Sequence, residues 1–129
     1  MPNVALVVDD SMLMRYTVCR FLEERGLTVE CASDGAEAVE LLANLHPDLI
    51  VTDLQMPKMT GSELITAVKN KPELSQVPII VVAGRSSADE KSEKRANFVI
   101  YKDVDIDSQL AKALDGLIGK PGRTQQAGK

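Results

Sequence analysis

The sequence predicts a doubly wound α/β sheet, and three observations carry the prediction. Five short apolar runs recur along the chain: Val4 to Val8, Leu27 to Ala32, Leu49 to Val51, Val77 to Ala83 and Phe98 to Tyr101. All but the more alternating LTVECA are near-continuous, as strands must be when helices cover both faces of a parallel sheet. The four intervals between them are mainly of helical length, and most carry caps and apolar stripes of their own. We denote the runs β1 to β5.

Each interval has its own signals. In the first helix Met14, Val18, Phe21 and Leu22 fall on one face, and Gly26 ends it. Asp34 is placed to cap the second, whose apolar members include Ala38, Val39 and Leu42, before His46-Pro47 stops it. Thr60 and Glu63 form a capping box for the third, which packs through Leu64, Ile65 and Val68 until Pro72. The last helix has Leu110, Leu114, Leu117 and Ile118 at i, i+4, i+7 and i+8. Residues 85–97 fit less well: only Ala88 and Ala96 offer apolar anchors, so a short or weakly docked helix is expected there. Residues 119–129, GKPGRTQQAGK, hold nothing to bury and read as a disordered tail or the start of a linker.

Composition narrows the function classes. A chain of 129 residues with 44% hydrophobic content closes one core, so residues 1–118 are expected to form a single domain. Fifteen basic against 19 acidic residues give a net charge of -4, without the positive field that gathers nucleic acid. No apolar run reaches the roughly 18 to 20 residues of a membrane span, and the N-terminus enters VALVVDD without a signal sequence. A soluble, cytoplasmic protein is expected. Cys19 and Cys31, in a predicted helix and strand and without C-x-x-C spacing, read as reduced structural thiols.

Sheets of this class place their sites outside the carboxyl ends of the strands. Asp9 and Asp10 end β1, Asp53 ends β3, Ala83 and Gly84 end β4, and Lys102 ends β5. If β1 and β3 are neighbours, three carboxylates and one ammonium meet at a single rim. An aspartate at a strand-to-helix turn is commonly a cap, which is the plain interpretation of Asp10 alone. The three together differ, because carboxylates about 4 to 6 Å apart repel by roughly 1 kcal/mol per pair in water and by several times that in a partly buried cleft. Such a cluster calls for a cation. Hard oxygen ligands with no His or Cys beside them suit Mg²⁺, or Mn²⁺. A divalent ion with Lys102 opposite would neutralise a phosphoryl group in transfer, with Asp53 as the acceptor.

VVDDSMLMR, DLQMPKMTG and the single Lys after an apolar fifth strand resemble the receiver domain, or CheY-like domain, of bacterial two-component response regulators. The resemblance spans roughly residues 3 to 118. It implies a flavodoxin-like (βα)5 three-layer sandwich whose parallel five-stranded sheet has the order 2-1-3-4-5. It also implies a phosphoacceptor at Asp53, with Mg²⁺ held by Asp10, Asp53 and the main-chain carbonyl of Gln55 while Asp9 acts through water. Lys102 would contact the phosphoryl group. The implied donor is a phosphohistidine on a sensor histidine kinase, or a small molecule such as acetyl phosphate. A domain of this kind assists its own phosphorylation without being a conventional enzyme; it is expected to act as a monomer or weak dimer on a downstream protein, with no direct contact to nucleic acid or membrane.

The sequence also departs from the family. Ala83 stands where Thr or Ser is usual, which removes a charge-assisted hydrogen bond of about 1.5 to 3 kcal/mol to the phosphoryl group. Ser86 and Ser87 lie nearby. Val99, three residues before Lys102, takes the place of the aromatic that reports activation, and strand alternation is expected to turn the flanking Phe98 and Tyr101 to the opposite face. Asp103 replaces the customary Pro, so a cis bond is not expected there. These changes leave a second class open: a pseudo-receiver, an interaction module whose phosphorylation is silent. A flavin-binding module on the same fold is disfavoured by the lack of a Gly-rich loop after β1. His46, beside Pro47, reads as a residue of a helix's last turn rather than a phosphorelay histidine.

Overall fold

The computed structural model describes residues 4–56, 58–83, 95–102 and 105–118. Five parallel strands, β1 (Val4–Val8), β2 (Thr28–Ala32), β3 (Leu49–Asp53), β4 (Ile79–Ala83) and β5 (Phe98–Tyr101), lie in the order β2-β1-β3-β4-β5. Four helices are described: α1 (Met12–Glu24), α2 (Gly35–Leu42), α3 (Gly61–Lys69) and α4 (Ile106–Ile118). This is the flavodoxin-like arrangement.

Alternation along the central strands divides the core in two. Ala5, Val7, Leu49, Val51, Ile80, Val82 and Ile100 meet Val18, Leu22, Leu110 and Leu114 of α1 and α4. On the other face Leu6, Val8, Ile50, Val81 and Ala83 meet Ala38, Leu42, Leu64, Ile65 and Val68 of α2 and α3. β3 and β4 are buried at every position, which is why their sequences never alternate. β2 is an edge strand, and its exposed Thr28, Glu30 and Cys31 explain the mixed pattern of LTVECA.

The helix ends follow local chemistry. Gly26 takes φ +93°, and both bonds of a Schellman turn close α1: Leu27 N–H donates to Leu22 O at 3.1 Å and Gly26 N–H to Glu23 O at 3.0 Å. Asp34 caps α2 by accepting from Glu37 N–H at 2.8 Å. Thr60 and Glu63 exchange both bonds of their capping box. Two helices end earlier than expected. α2 stops at Leu42, because the N–H groups of Ala43 and Asn44 turn to Glu40 O and Leu41 O in tighter i to i−3 bonds; His46 therefore lies beyond the helix, not in its last turn. α3 stops at Lys69, where the Asn70 N–H closes the final turn onto Thr66 O.

The helix expected within 85–97 lies outside the described residues up to 94, as do Ser86 and Ser87. Beyond it Arg95 donates to Thr66 Oγ1 at 2.7 Å and to Ser62 O at 3.1 Å, tying the approach to β5 onto α3. The proposed tail, 119–129, also lies outside. Among the described residues no helix is long and apolar enough to cross a membrane.

Gly61 sets how closely α3 approaches the end of β3. Its N–H donates to Leu54 O at 2.9 Å, and a Cβ there would collide with the carbonyl oxygen of Asp53 and lie 2.8 Å from Leu54 Cα. Both obstacles are backbone, so they can yield only by moving the strand end. Gly61→Ala should therefore lower stability by about 1–3 kcal/mol, read as a lower urea midpoint at unchanged m-value.

Candidate functional site

The β1 ladder runs one residue past the strand, since Asp9 N–H donates to Ala32 O at 3.1 Å. Its side chain then turns back: Asp9 Oδ1 accepts from Ser11 N–H at 2.9 Å, while Ser11 Oγ caps α1 through Met14 N–H at 3.2 Å. Arg15, one turn into α1, donates to Asp9 O at 2.8 Å. Asp10 lies exposed between these two anchors.

Asp53 is the last residue of β3, in register with Val82, and only 2% exposed. Its two carboxylate oxygens have different partners. Oδ1 accepts from Gln55 N–H at 3.3 Å, and Oδ2 accepts from Lys102 Nζ at 2.8 Å. Lys102 reaches it because its own N–H donates to Ala83 O at 3.0 Å, continuing the β4–β5 ladder past Tyr101.

Oxygens of Asp9, Asp10 and Asp53 all lie within 4.8 Å of one another, so the sheet order brings the three carboxylates together as the sequence suggested. Their electrostatics show the strain. Burial, at 3% exposure, together with the charges of Asp53 and Asp10 raises Asp9 from 3.8 to about 6, against the lowering effects of Ser11 N–H and Lys102. Burial would push Lys102 down, but its bond to Asp53 and the charges of Asp53, Asp9 and Asp10 hold it above its usual range. One ammonium faces three carboxylates. The donor set is all oxygen, with one member exposed and open to water, which fits a hard divalent cation.

A family model for the response regulator receiver domain matches residues 5–115. The chain belongs to the response regulator receiver domain family, the receiving module of two-component systems. It is 38% identical over 122 residues to the response regulator MprA of Mycobacterium sp. (strain KMS), a match covering 93% of this chain and 49% of MprA. The chain thus spans about half the length of the curated relatives it matches. Among solved structures it resembles the chemotaxis response regulator CheY4 of Vibrio cholerae, with a TM-score of 0.82 at 31% identity over 91% of this chain and 99% of that one. The receiver domain of the sensor histidine kinase PA1611 from Pseudomonas aeruginosa PAO1, whose active site cleft holds a coordinated magnesium ion, shares the fold with a TM-score of 0.82 at 21% identity, over 93% of this chain and all of that one.

Several details of this receiver domain escape a reading of its sequence. Ala83 is 1% exposed on the α2–α3 side of the sheet. Val99 packs on that same side, opposite Val81. Tyr101, expected to turn away from Val99, lies two residues on and in register with Ala83, so alternation puts it on Val99's side; Phe98 does face the other way, against Gly116 of α4. Gly84, Pro57 and Asp103 lie outside the described residues. Gln109 was not anticipated at all: its amide accepts from Tyr101 N–H at 3.0 Å and donates to Tyr101 O at 2.9 Å, pairing the outer edge of β5 next to Lys102. A glutamine on the stripe side of an amphipathic helix is the one signal that hints at it. Arg15 is visible only as the last letter of VVDDSMLMR. His46 lies before β3, at the end of the sheet away from Asp53, near Asp48, which accepts from Val4 N–H at 2.9 Å.

Asp9 yields a pH test in metal-free buffer. Its folded proton affinity exceeds its unfolded one, so its stabilising contribution is complete below pH 4 and lost as pH rises through about 6. Asp9→Asn keeps the acceptor for Ser11 N–H but never ionises. The variant should match wild type below pH 4 and exceed it by about 3 kcal/mol well above pH 6, as measured by urea unfolding across that range.

Proposed function

We propose that this receiver domain, residues 1–118, accepts a phosphoryl group on Asp53 with the help of Mg²⁺ or Mn²⁺, and passes the signal on through protein–protein contacts. The observation that carries this is the meeting of Asp9, Asp10 and Asp53 within 4.8 Å, with Lys102 on Asp53. Asp10, Asp53 and the carbonyl of Gln55 would hold the ion, with Asp9 acting through water. When bound, it supplies positive charge for the carboxylates and for phosphoryl oxygens. The magnesium reported for the receiver domain of PA1611 supports that assignment.

The chain's own groups account for the rest of the chemistry. A carboxylate oxygen of Asp53 attacks phosphorus in line, the bond from phosphorus to the donor's imidazole nitrogen or acetate oxygen breaks, and an acyl phosphate forms on Asp53. Asp53 loses its negative charge in that step, and Lys102 transfers its bond from Oδ2 to the new phosphoryl oxygens. The turn through Leu54 and the close approach of Gly61 keep Asp53 fixed meanwhile. A sensor histidine kinase is the donor, and a downstream protein reads the result. The domain promotes its own modification and is not a conventional enzyme; residues 119–129 serve as a tail or the start of a linker.

One observation favours the pseudo-receiver instead: Ala83, the last residue of β4, presents no hydroxyl, and Val99 stands where the reporting aromatic is usual. The two are separable by intact mass after incubation with acetyl phosphate and Mg²⁺. Phosphoacceptance predicts a gain of one phosphoryl group that is absent from Asp53→Asn and accumulates at least ~10-fold more slowly in Lys102→Met. No gain with any small donor or kinase would establish the pseudo-receiver.

A further inference from the structure

The structure also brings together two thiols that the phosphoacceptor site does not use. Cys19 lies on the buried stripe of α1, 8% exposed, in the cluster that contains Val18 and Leu22. Cys31 is exposed on edge strand β2. Its register partner is Val7, and both Val7 and Val29 belong to the α1 side of the core, so alternation aims Cys31 at α1. The two cysteines line one cleft, together with Arg15, Arg20 and Glu23. They also sense each other: burial first, and then the nearby Cys31 thiol, push the Cys19 thiol up to about 12.

We propose that Cys19 and Cys31 form a dithiol site that closes to a disulfide by exchange with a low-molecular-weight disulfide, stapling α1 to the edge of the sheet. Exposure decides the order of events. The Cys31 thiolate attacks one sulfur of the small disulfide; a mixed S–S bond forms on Cys31 and one small thiol leaves. Cys19 then gives up its proton and attacks Cys31 Sγ, expelling the second small thiol. Two protein thiols are oxidised and one small disulfide is reduced to two thiols. The buried, weakly acidic Cys19 makes the second step the slower one, so the mixed disulfide accumulates before it resolves. The closed bridge ties together the helix that starts beside Asp9 and the strand whose last carbonyl, that of Ala32, receives the Asp9 N–H. Constraining the segment between the two cysteines should raise the thermal midpoint.

The test is incubation of the whole chain with oxidised glutathione, followed by non-reducing intact mass and peptide mapping. The site predicts a monomer lighter than the reduced protein by two hydrogens, free of glutathione and yielding a cross-linked Cys19–Cys31 peptide. Its thermal midpoint should exceed that of the reduced form and return to the lower value with dithiothreitol. Cys31→Ser, a change at an exposed position, should take up no glutathione and form no bridge. A stable glutathione adduct on Cys31 with Cys19 still free, a dimer linked only through Cys31, or two thiols left unchanged would each overturn the proposal. None of these outcomes depends on whether Asp53 is phosphorylated.

Discussion

The ion pair between Lys102 Nζ and Asp53 Oδ2, 2.8 Å long, is the interaction on which the rest of the site depends. It joins the ends of two strands that are not neighbours, with β4 between them. Without it, a nearly buried carboxylate would face two others within 4.8 Å and, among the described residues, keep only a long bond from Gln55 N–H. Breaking a fully buried pair by removing one partner commonly costs about 3–5 kcal/mol, an upper bound here because the Lys102 side chain is 32% exposed and solvent screens it. The pair is nevertheless incomplete, since one ammonium cannot balance three carboxylates. At Asp9, burial first and then the charges of Asp53 and Asp10 push the carboxyl up to about 6.

The fold serves this imbalance by rigid means. Asp9 is held by the β1–β2 ladder, the α1 cap and Arg15; Asp53 by the fully buried β3; Lys102 by the β4–β5 ladder, whose outer edge Gln109 closes. Asp10, by contrast, is exposed. A cluster of like charges persists only where the surroundings over-determine it, and such places are characteristically functional. Local stability is here given up at one rim and recovered in two apolar layers that exclude water from both faces of the sheet.

Much of this was legible in the sequence because strand ends and sheet order are coarse quantities. Near-continuous runs such as DLIV and VPIIVVA announce strands buried on both faces, and the residues one or two places beyond each come to the rim. The meeting of Asp9, Asp10, Asp53 and Lys102 at one rim was therefore legible from position alone. Caps at Asp34 and Thr60 were legible for a similar reason, as they act over three residues of sequence. What was not legible depends on contacts between distant segments. Gln109 on Tyr101, Arg95 on Ser62 and Arg15 on Asp9 are choices a side chain makes only once a neighbouring element is in place. The early end of α2 is different, being set by the local i to i−3 bonds of Ala43 and Asn44 that no motif in the sequence announces. Tyr101 shows that the rule of alternation has to be counted from the right residue.

If the carboxylate cluster is incomplete without a divalent ion, that ion must bind the folded chain and stabilise it by mass action. The direct measurement is the thermal midpoint at pH 7 as a function of Mg²⁺ concentration, with Na⁺ at matched ionic strength as the control. A midpoint that climbs with the logarithm of Mg²⁺ in wild type, and stays flat when Asp10 and Asp53 are both replaced by Asn, is the predicted result. Equal midpoints in Mg²⁺ and Na⁺ would contradict the account.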